Sequence, residues 1–215
     1  MPSLVETKDA QRRHYRRLRR TLDAATRAAE QDGLCTTLAT WLIPALLTAP
    51  HQPPFIASYL ALPDECCLSD LHHSAWNAGL GILVPRVDGI GHLTWHHLAH
   101  ADDLAHLHPG AFGIREPDPR HLPPVPLPDH IPLLVPGVAF TTAGARLGQG
   151  GGFYDRILGK GDRYEIGVTF SCQIAPELAL EAHDRPVHAL VVGTTAPRLL
   201  HPPPTWLLPP GHPPS

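Results

Sequence analysis

The chain has 215 residues, 43% hydrophobic and 17% charged, enough to bury one good-sized core and too few for two full domains. Its four cysteines, Cys35, Cys66, Cys67 and Cys172, lack C-x-x-C spacing and suit reduced thiols better than a disulfide framework. No run reaches the ~20 apolar residues of a membrane span, and the basic start lacks the apolar core of a secretory signal, so the expectation is a cytoplasmic protein away from the membrane. The net charge of −3 hides an uneven distribution: Lys8, Arg12, Arg13, Arg16, Arg17, Arg19, Arg20 and Arg27 oppose only Glu6, Asp9 and Asp23, a basic arm on an acidic body.

In chain order, the arm reads as a helix over 8–30, with Tyr15, Leu18 and Leu22 at i, i+3 and i+7 and arginines around the rest of the cylinder. A solvated amphipathic helix, a nucleic-acid arm and a helix lending cations to an anionic ligand all fit this pattern. A second helix is expected over Cys35–Leu47, stopping near Pro50, then a buried strand over Phe55–Leu62 between proline pairs, with Glu65 just past its C-terminal end. Leu68–Asn77 reads as a helix closed by Gly79, Gly81–Val87 as a strand in which Pro85 favours an end or edge, and His92–Leu98 as an alternating strand beside it. Six prolines from Pro117 to Pro128 make 109–132 a crossing loop. Leu133–Val135, Tyr164–Phe170 and His188–Val192 are apolar strands, and a helix is expected over Phe153–Leu158. This alternation predicts an α/β fold of three layers, α/β/α, with a mainly parallel sheet flanked by helices and ligands beyond the strand C-termini. Residues 1–200 form one domain in this reading, and the proline-rich 201–215 is a disordered or surface-draped tail.

Between the strand at 133–135 and the segment at 153 lies the richest stretch, with Gly148, Gly150, Gly151 and Gly152 in one loop. Glycines let successive backbone N–H groups turn towards one point, the geometry that cradles phosphate oxygens. Arg146, Tyr154 and Asp155 add a cation, a phenol and a carboxylate, the equipment of phosphoryl chemistry with magnesium. The loop matches neither G-x-x-x-x-G-K-[ST] nor G-x-G-x-x-G, and a tight structural turn is an equally good account of clustered glycines alone.

The ordered set RLGQGGGFYDR, preceded by PGVAF, resembles the signature of the 5-formyltetrahydrofolate cyclo-ligase family. KDAQRRHYRRLRRTL resembles that family's basic helix, YLALPDE the strand that delivers its folate-binding glutamate, and ILVPRV the next strand; IGVTFSCQ and HDRPVHALVVGT resemble its closing segments. The likeness covers nearly all of 8–195, weakens over the Pro/His-rich 96–128, and omits the tail. It implies a Rossmann-like sheet of the kind shared with sugar-phosphate isomerases and coenzyme A transferases. It also implies a monomer that binds a small folate and no nucleic acid, cyclising 5-formyltetrahydrofolate to 5,10-methenyltetrahydrofolate with ATP and Mg2+.

By the same resemblance Lys8, Arg12, Arg146, Leu147, Gly148, Gln149, Gly150, Gly151, Gly152, Phe153 and Tyr154 hold ATP. The remaining arm arginines then stay solvated. Leu60, Glu65 and Gln149 to Phe153 border the folate, Glu65 accepting the pterin's N–H edge. Arg146 and Tyr154 serve the transfer, and Asp155 and Asp184 bind magnesium. From the residues alone, Arg146 also fits a surface ion pair, Tyr154 a half-buried packing role, Asp155 a helix cap, Asp184 a turn before Pro186 and Glu65 a solvated loop carboxylate. Trp76 and Trp95 suit either packing or the pterin pocket. The 16 histidines include no H-E-x-x-H and read as a solvated segment rather than a metal site. Two other classes stay open: a different small-molecule enzyme of this sheet type, which needs no ATP, and a nucleic-acid binder with salt-dependent affinity.

Overall fold

The computed structural model describes residues 7–48, 54–88, 92–110, 113–181 and 184–208. Two helices open the chain, α1 (Lys8–Thr21) and α2 (Ala24–Thr48), followed by β1 (Phe55–Ala57), α3 (Ser69–Asn77), β2 (Gly81–Val87) and β3 (Leu93–Leu98). Short strands β4 (Leu107–Pro109), β5 (Arg115–Pro117) and β6 (Pro124–Val125) lie in the Pro/His-rich middle. Then come β7 (Pro132–Pro136), β8 (Ala139–Thr141), β9 (Arg146–Leu147), β10 (Tyr164–Thr169), β11 (Ile174–Ala175), β12 (Ala189–Val192) and β13 (Arg198–Leu199).

Eight strands form one sheet in the order β13-β12-β10-β7-β1-β2-β3-β6. The middle five are parallel, and the edge pairings β13–β12, β2–β3 and β3–β6 are antiparallel. Side-chain parity sorts the sheet's two faces. Ile56, Ile82, Val84, Leu134, Ile166, Val168, Ala189 and Val191 join Leu34, Leu38 and Leu42 of α2 and Leu71 of α3 in one core. Their neighbours Ala57, Leu83, Leu133, Val135 and Leu190 pack on Phe140, Leu158 and Val187 across the other face. The central strands are apolar on both faces because both are covered, as a parallel sheet requires. This is the expected mainly parallel α/β sheet, with turns and the small β11-β8-β9 sheet covering much of the second face.

Several boundaries differ from expectation for local reasons. The helix expected over 8–30 breaks at Leu22, whose ψ of 125° is extended; Asp23 then caps α2, its side chain accepting the Thr26 N–H at 2.9 Å. Helix α2 starts at Ala24, so that residues 24–30 of the first expected helix run without a break into the second, and it carries Pro44 in its interior. β1 ends at Ala57 rather than Leu62: Ser58 N–H still bonds Leu83 O at 2.8 Å, after which the chain leaves the ladder. No helix forms over Phe153–Leu158; left-handed Gly152 (φ 65°) and Gly159 (φ 69°) close in a segment too short to repay nucleation, and hydrogen-bonded turns result. The proline-rich end packs rather than drapes as far as Leu208, with a 3₁₀ turn at Thr205–Leu207 and Leu207 fully buried in the main core.

Helix α1 rests on the small sheet through Tyr15 and Leu18, which meet Val138, Ala139, Leu147 and Leu178. Gln11 fixes its rotation, donating to Glu177 O at 3.2 Å and accepting the Ala179 N–H at 2.9 Å. Its opposite flank therefore looks towards the loop that follows β9.

Candidate active site

That loop, Gly148–Gly152, lies beyond the C-terminal ends of the parallel strands. Gly150 (φ 105°) and Gly152 (φ 65°) take backbone conformations that side-chain-bearing residues rarely adopt. A Cβ on Gly148 would stand 2.9 Å from Arg146 Nη1, so glycine there lets a guanidinium lie against the backbone. Two α1 arginines grip the loop: Arg12 Nε donates to Gly148 O at 3.0 Å and Arg16 Nη2 to Gln149 O at 3.0 Å.

The loop separates two cavities. One, of about 520 Å³, is polar and is lined by Lys8, Arg12, Leu147, Gly150 and Asp184. The other, of about 280 Å³, is largely apolar, with Tyr59, Leu60, Val87 and Phe153 in its walls and Glu65 and Tyr154 as polar points. Arg146, Gly148, Gly152 and Asp155 belong to both. The wall between the polar cavity and the apolar one is thus a guanidinium, a carboxylate and glycine backbone.

Arg146 is 6% exposed. It forms a short ion pair with Asp155, its Cζ stands 5.8 Å from the Tyr154 ring centre, and its buried Nε has no hydrogen-bond partner among the described residues. The Tyr154 hydroxyl is likewise buried without a partner. Burial, and then the charge of Glu65, push the phenol well above its ordinary pKa, with Arg146 pulling the other way. The phenol therefore stays protonated at neutral pH. Asp184 accepts from Lys8 Nζ at 2.7 Å, and Lys8 also reaches Glu181 at 3.2 Å.

The structure brings the sequence-predicted residues together and divides them. Lys8, Arg12, Leu147, Gly150 and Asp184 line only the polar cavity, whereas Leu60, Glu65, Gln149, Gly151, Phe153 and Tyr154 line only the apolar one. Of the residues expected at both ligands, Gly150 faces the polar side and Gln149, Gly151 and Phe153 the apolar side, while Tyr154, expected at the nucleotide, faces the apolar side. Trp76 and Trp95 line neither: Trp76 Nε1 donates to Leu98 O at 3.0 Å, and Trp95 is 4% exposed in the core.

The arm's further arginines are not all solvated. Arg19 is 2% exposed and pairs with Asp64 at 3.0 Å and Glu65 at 3.5 Å, while Arg16 holds Gln149. Their positions four and seven residues after Arg12 put them on the same helical stripe, a signal present in the sequence. The partners were hidden because Asp64 and Glu65 reach α1 only through the tertiary fold. Ile114 and Glu116 of the Pro/His-rich middle also wall the apolar cavity. Its histidines make local contacts, such as His108 Nε2 to Asp118 at 3.0 Å, and among the described residues no three His, Cys, Asp or Glu side chains gather as a metal site.

An open, mainly parallel sheet whose glycine loop lies between a polar cavity of mixed charge and an apolar one is an α/β fold with two adjoining candidate ligand cavities. The model of the 5-formyltetrahydrofolate cyclo-ligase family matches residues 6–193. The 5-formyltetrahydrofolate cyclo-ligase of Escherichia coli is 31% identical over 147 residues, 63% of this chain and 76% of that protein. The Saccharomyces cerevisiae 5-formyltetrahydrofolate cyclo-ligase is 27% identical over 212 residues, 88% of this chain and 96% of that protein. The solved structure of Aquifex aeolicus 5,10-methenyltetrahydrofolate synthetase superposes with a TM-score of 0.67 at 27% identity, covering 92% of this chain and 95% of that one. The chain belongs to the 5-formyltetrahydrofolate cyclo-ligase family, as the signature around the glycine loop implied, and it is an enzyme of the ligase class.

Proposed function

We propose that the protein converts 5-formyltetrahydrofolate to 5,10-methenyltetrahydrofolate while ATP becomes ADP and phosphate. The observation that carries this reading is the shared wall: one glycine loop with Arg146 borders both a polar cavity, lined by Lys8 and Arg12 as well as by carboxylates, and an apolar one. The chemistry needs that adjacency. N10 of the substrate must attack the N5 formyl carbon, and the formyl oxygen is a poor leaving group. Transfer of the γ-phosphoryl to that oxygen turns it into phosphate, which departs as the ring closes. Such a transfer is catalysed mainly by positioning and charge stabilisation.

Lys8 and Arg12 take the nucleotide phosphates in this reading, together with loop N–H groups. Arg146, at the wall, holds the charge that develops between the two ligands, and its unpartnered Nε is available to do so. The lone Tyr154 hydroxyl donates to the formyl or phosphoryl oxygen. Glu65 receives the pterin's N–H edge, and Leu60 and Phe153 sandwich apolar substrate surface. Asp155 and Asp184, carboxylates on the polar cavity's lining, fit the one or two that magnesium takes beside phosphate oxygens; each is now balanced by a cation, Arg146 or Lys8. A magnesium ion there would order the phosphates and neutralise their charge.

In the same reading the protein works in the cytoplasm as a monomer, on a small molecule and without nucleic acid. Arg12, Arg16 and Arg19 turn inward to the loop and to Asp64 and Glu65, which supports a ligand-site role over a polyanion-binding arm. No helix among the described residues is long and apolar enough to cross a membrane.

The test is absorbance of the methenyl product from purified protein with 5-formyltetrahydrofolate, in the complete mixture and with ATP or magnesium omitted. Product is expected only in the complete mixture; product without ATP sinks the reading. Asp155→Asn should cut magnesium-dependent turnover by at least about tenfold with folate affinity nearly kept, and Glu65→Gln should chiefly raise the folate KM. The opposite pattern would exchange the two assignments.

A further inference from the structure

Two α1 arginines that the scheme above leaves unused end on the folate side. Arg16 donates to Gln149 Oε1 through Nε at 3.0 Å and Nη2 at 2.7 Å, and through Nη2 to the Gln149 carbonyl at 3.0 Å. Gln149 Nε2 donates in turn to Glu65 Oε1 at 2.8 Å. The second oxygen, Glu65 Oε2, accepts the Leu62 N–H at 3.1 Å, and Arg19 Nη1 stands 3.5 Å from Oε1. Glu65 is 8% exposed, so solvent supplies little to this carboxylate and the protein supplies nearly all.

A pterin presents its 2-amino group and a ring N–H to such a carboxylate. Gln149 presents a primary amide N–H to the same oxygen, already clamped in direction by the Arg16 fork. We propose that Gln149, held by Arg16, is a built-in stand-in for the pterin: it occupies Glu65 until the folate displaces it, and that displacement releases the glycine loop towards the nucleotide. The inference rests on Glu65 being the pterin's carboxylate. The loop is suited to such a change, because Gly150 and Gly152 give it left-handed freedom on either side of Gly151, and Arg12 ties Gly148 to the polar cavity. Occupancy of the apolar cavity is thereby felt in the polar one. By linkage, the folate and the nucleotide then raise each other's affinity by the same factor.

The test measures binding of 5-formyltetrahydrofolate to the full chain without nucleotide, where no turnover occurs, by calorimetry. Gln149→Ala should bind the folate about fivefold more tightly, the equivalent of one net hydrogen bond no longer displaced. Arg16→Ala, which leaves the amide in place but unclamped, should shift affinity in the same direction by less. Unchanged or weaker folate binding by folded Gln149→Ala overturns the latch. Glu65→Gln separates the two ideas: if it loses folate affinity while Gln149→Ala gains none, the latch alone fails, and if it keeps full affinity, the Glu65 reading fails and the latch with it. ADP affinity with and without folate gives the second readout. Wild type should show coupling that Gln149→Ala loses, and coupling of equal size in the two proteins overturns the relay through the loop.

Discussion

Tyr154 holds a buried hydroxyl that has no hydrogen-bond partner among the described residues. A buried polar atom without a partner lowers stability by ~1–3 kcal/mol, so Tyr154→Phe should raise the melting temperature slightly while reducing turnover by on the order of 10²-fold. A variant that loses both would make Tyr154 a packing residue. Arg19 carries the opposite sign. Its guanidinium is 2% exposed and faces Asp64 and Glu65, so Arg19→Ala leaves a buried carboxylate without its cation. The expected loss is roughly 3 kcal/mol by urea unfolding; a loss below about 1 kcal/mol would mean the pair behaves like a surface ion pair. That Arg19 is buried at all was not legible, since its partners are brought beneath α1 by the chain reversal after β1.

Among the elements, β2, β7, β10 and β12 were legible because continuous apolar runs have only one environment in an α/β sheet, one covered on both faces. That residues 24–30 belong to α2 rather than to the first helix was not, because residues 24–34 mix alanines with charges and carry Gly33 without an apolar stripe. Gly33 itself shows what the sequence cannot display. In an exposed helix, Gly→Ala gains about 1 kcal/mol of helix propensity. Here the added Cβ would stand 2.9 Å from Thr194 Cα and 3.2 Å from Gly193 O, backbone atoms of the turn after β12. Overpacking of this kind costs about 1–3 kcal/mol, so Gly33→Ala should destabilise, and a stabilised variant would show that the turn yields easily. The glycine loop was legible as a ligand loop from its residue order. Its division into two faces was not, because which glycine meets which cavity depends on φ and on where α1 lies. Ile114 and Glu116 were hidden for a related reason: proline-rich sequence announces a crossing segment but not the cavity it crosses.

Across the whole molecule, burial sets the acid limit of stability. His72 is 4% exposed, its Nε2 lies 2.8 Å from Ser58 Oγ, and burial, with a smaller push from His73, lowers its pKa from 6.5 to about 4. His96, His97 and His188 are also lowered, each chiefly by burial. A histidine kept neutral by the fold is protonated first in the unfolded chain. Its contribution is therefore complete above about pH 6.5 and is lost as pH falls through about 4. His72 alone accounts for on the order of 2 kcal/mol at pH 5. The melting temperature should fall between pH 7.5 and pH 5, and His72→Gln should flatten part of that fall; an unchanged slope would assign the acid sensitivity to other groups.

The order of strands has a kinetic side. β1 meets β7 only at Ala57 and Leu133, and β7 meets β10 from Tyr164 onwards, so the centre of the sheet joins segments far apart in the chain. Parallel pairs of this kind cannot form as hairpins, and each long loop must be closed before its ladder contributes. Helices α2 and α3 are local, but the sheet face that they cover exists only once those distant segments have met. In the interval the half-built sheet exposes apolar strands with unpaired edges, to which another nascent chain can add as readily as the missing strand. Recovery after denaturation is then a contest between a slow internal step and collisions between chains, one that dilution decides in favour of the native enzyme.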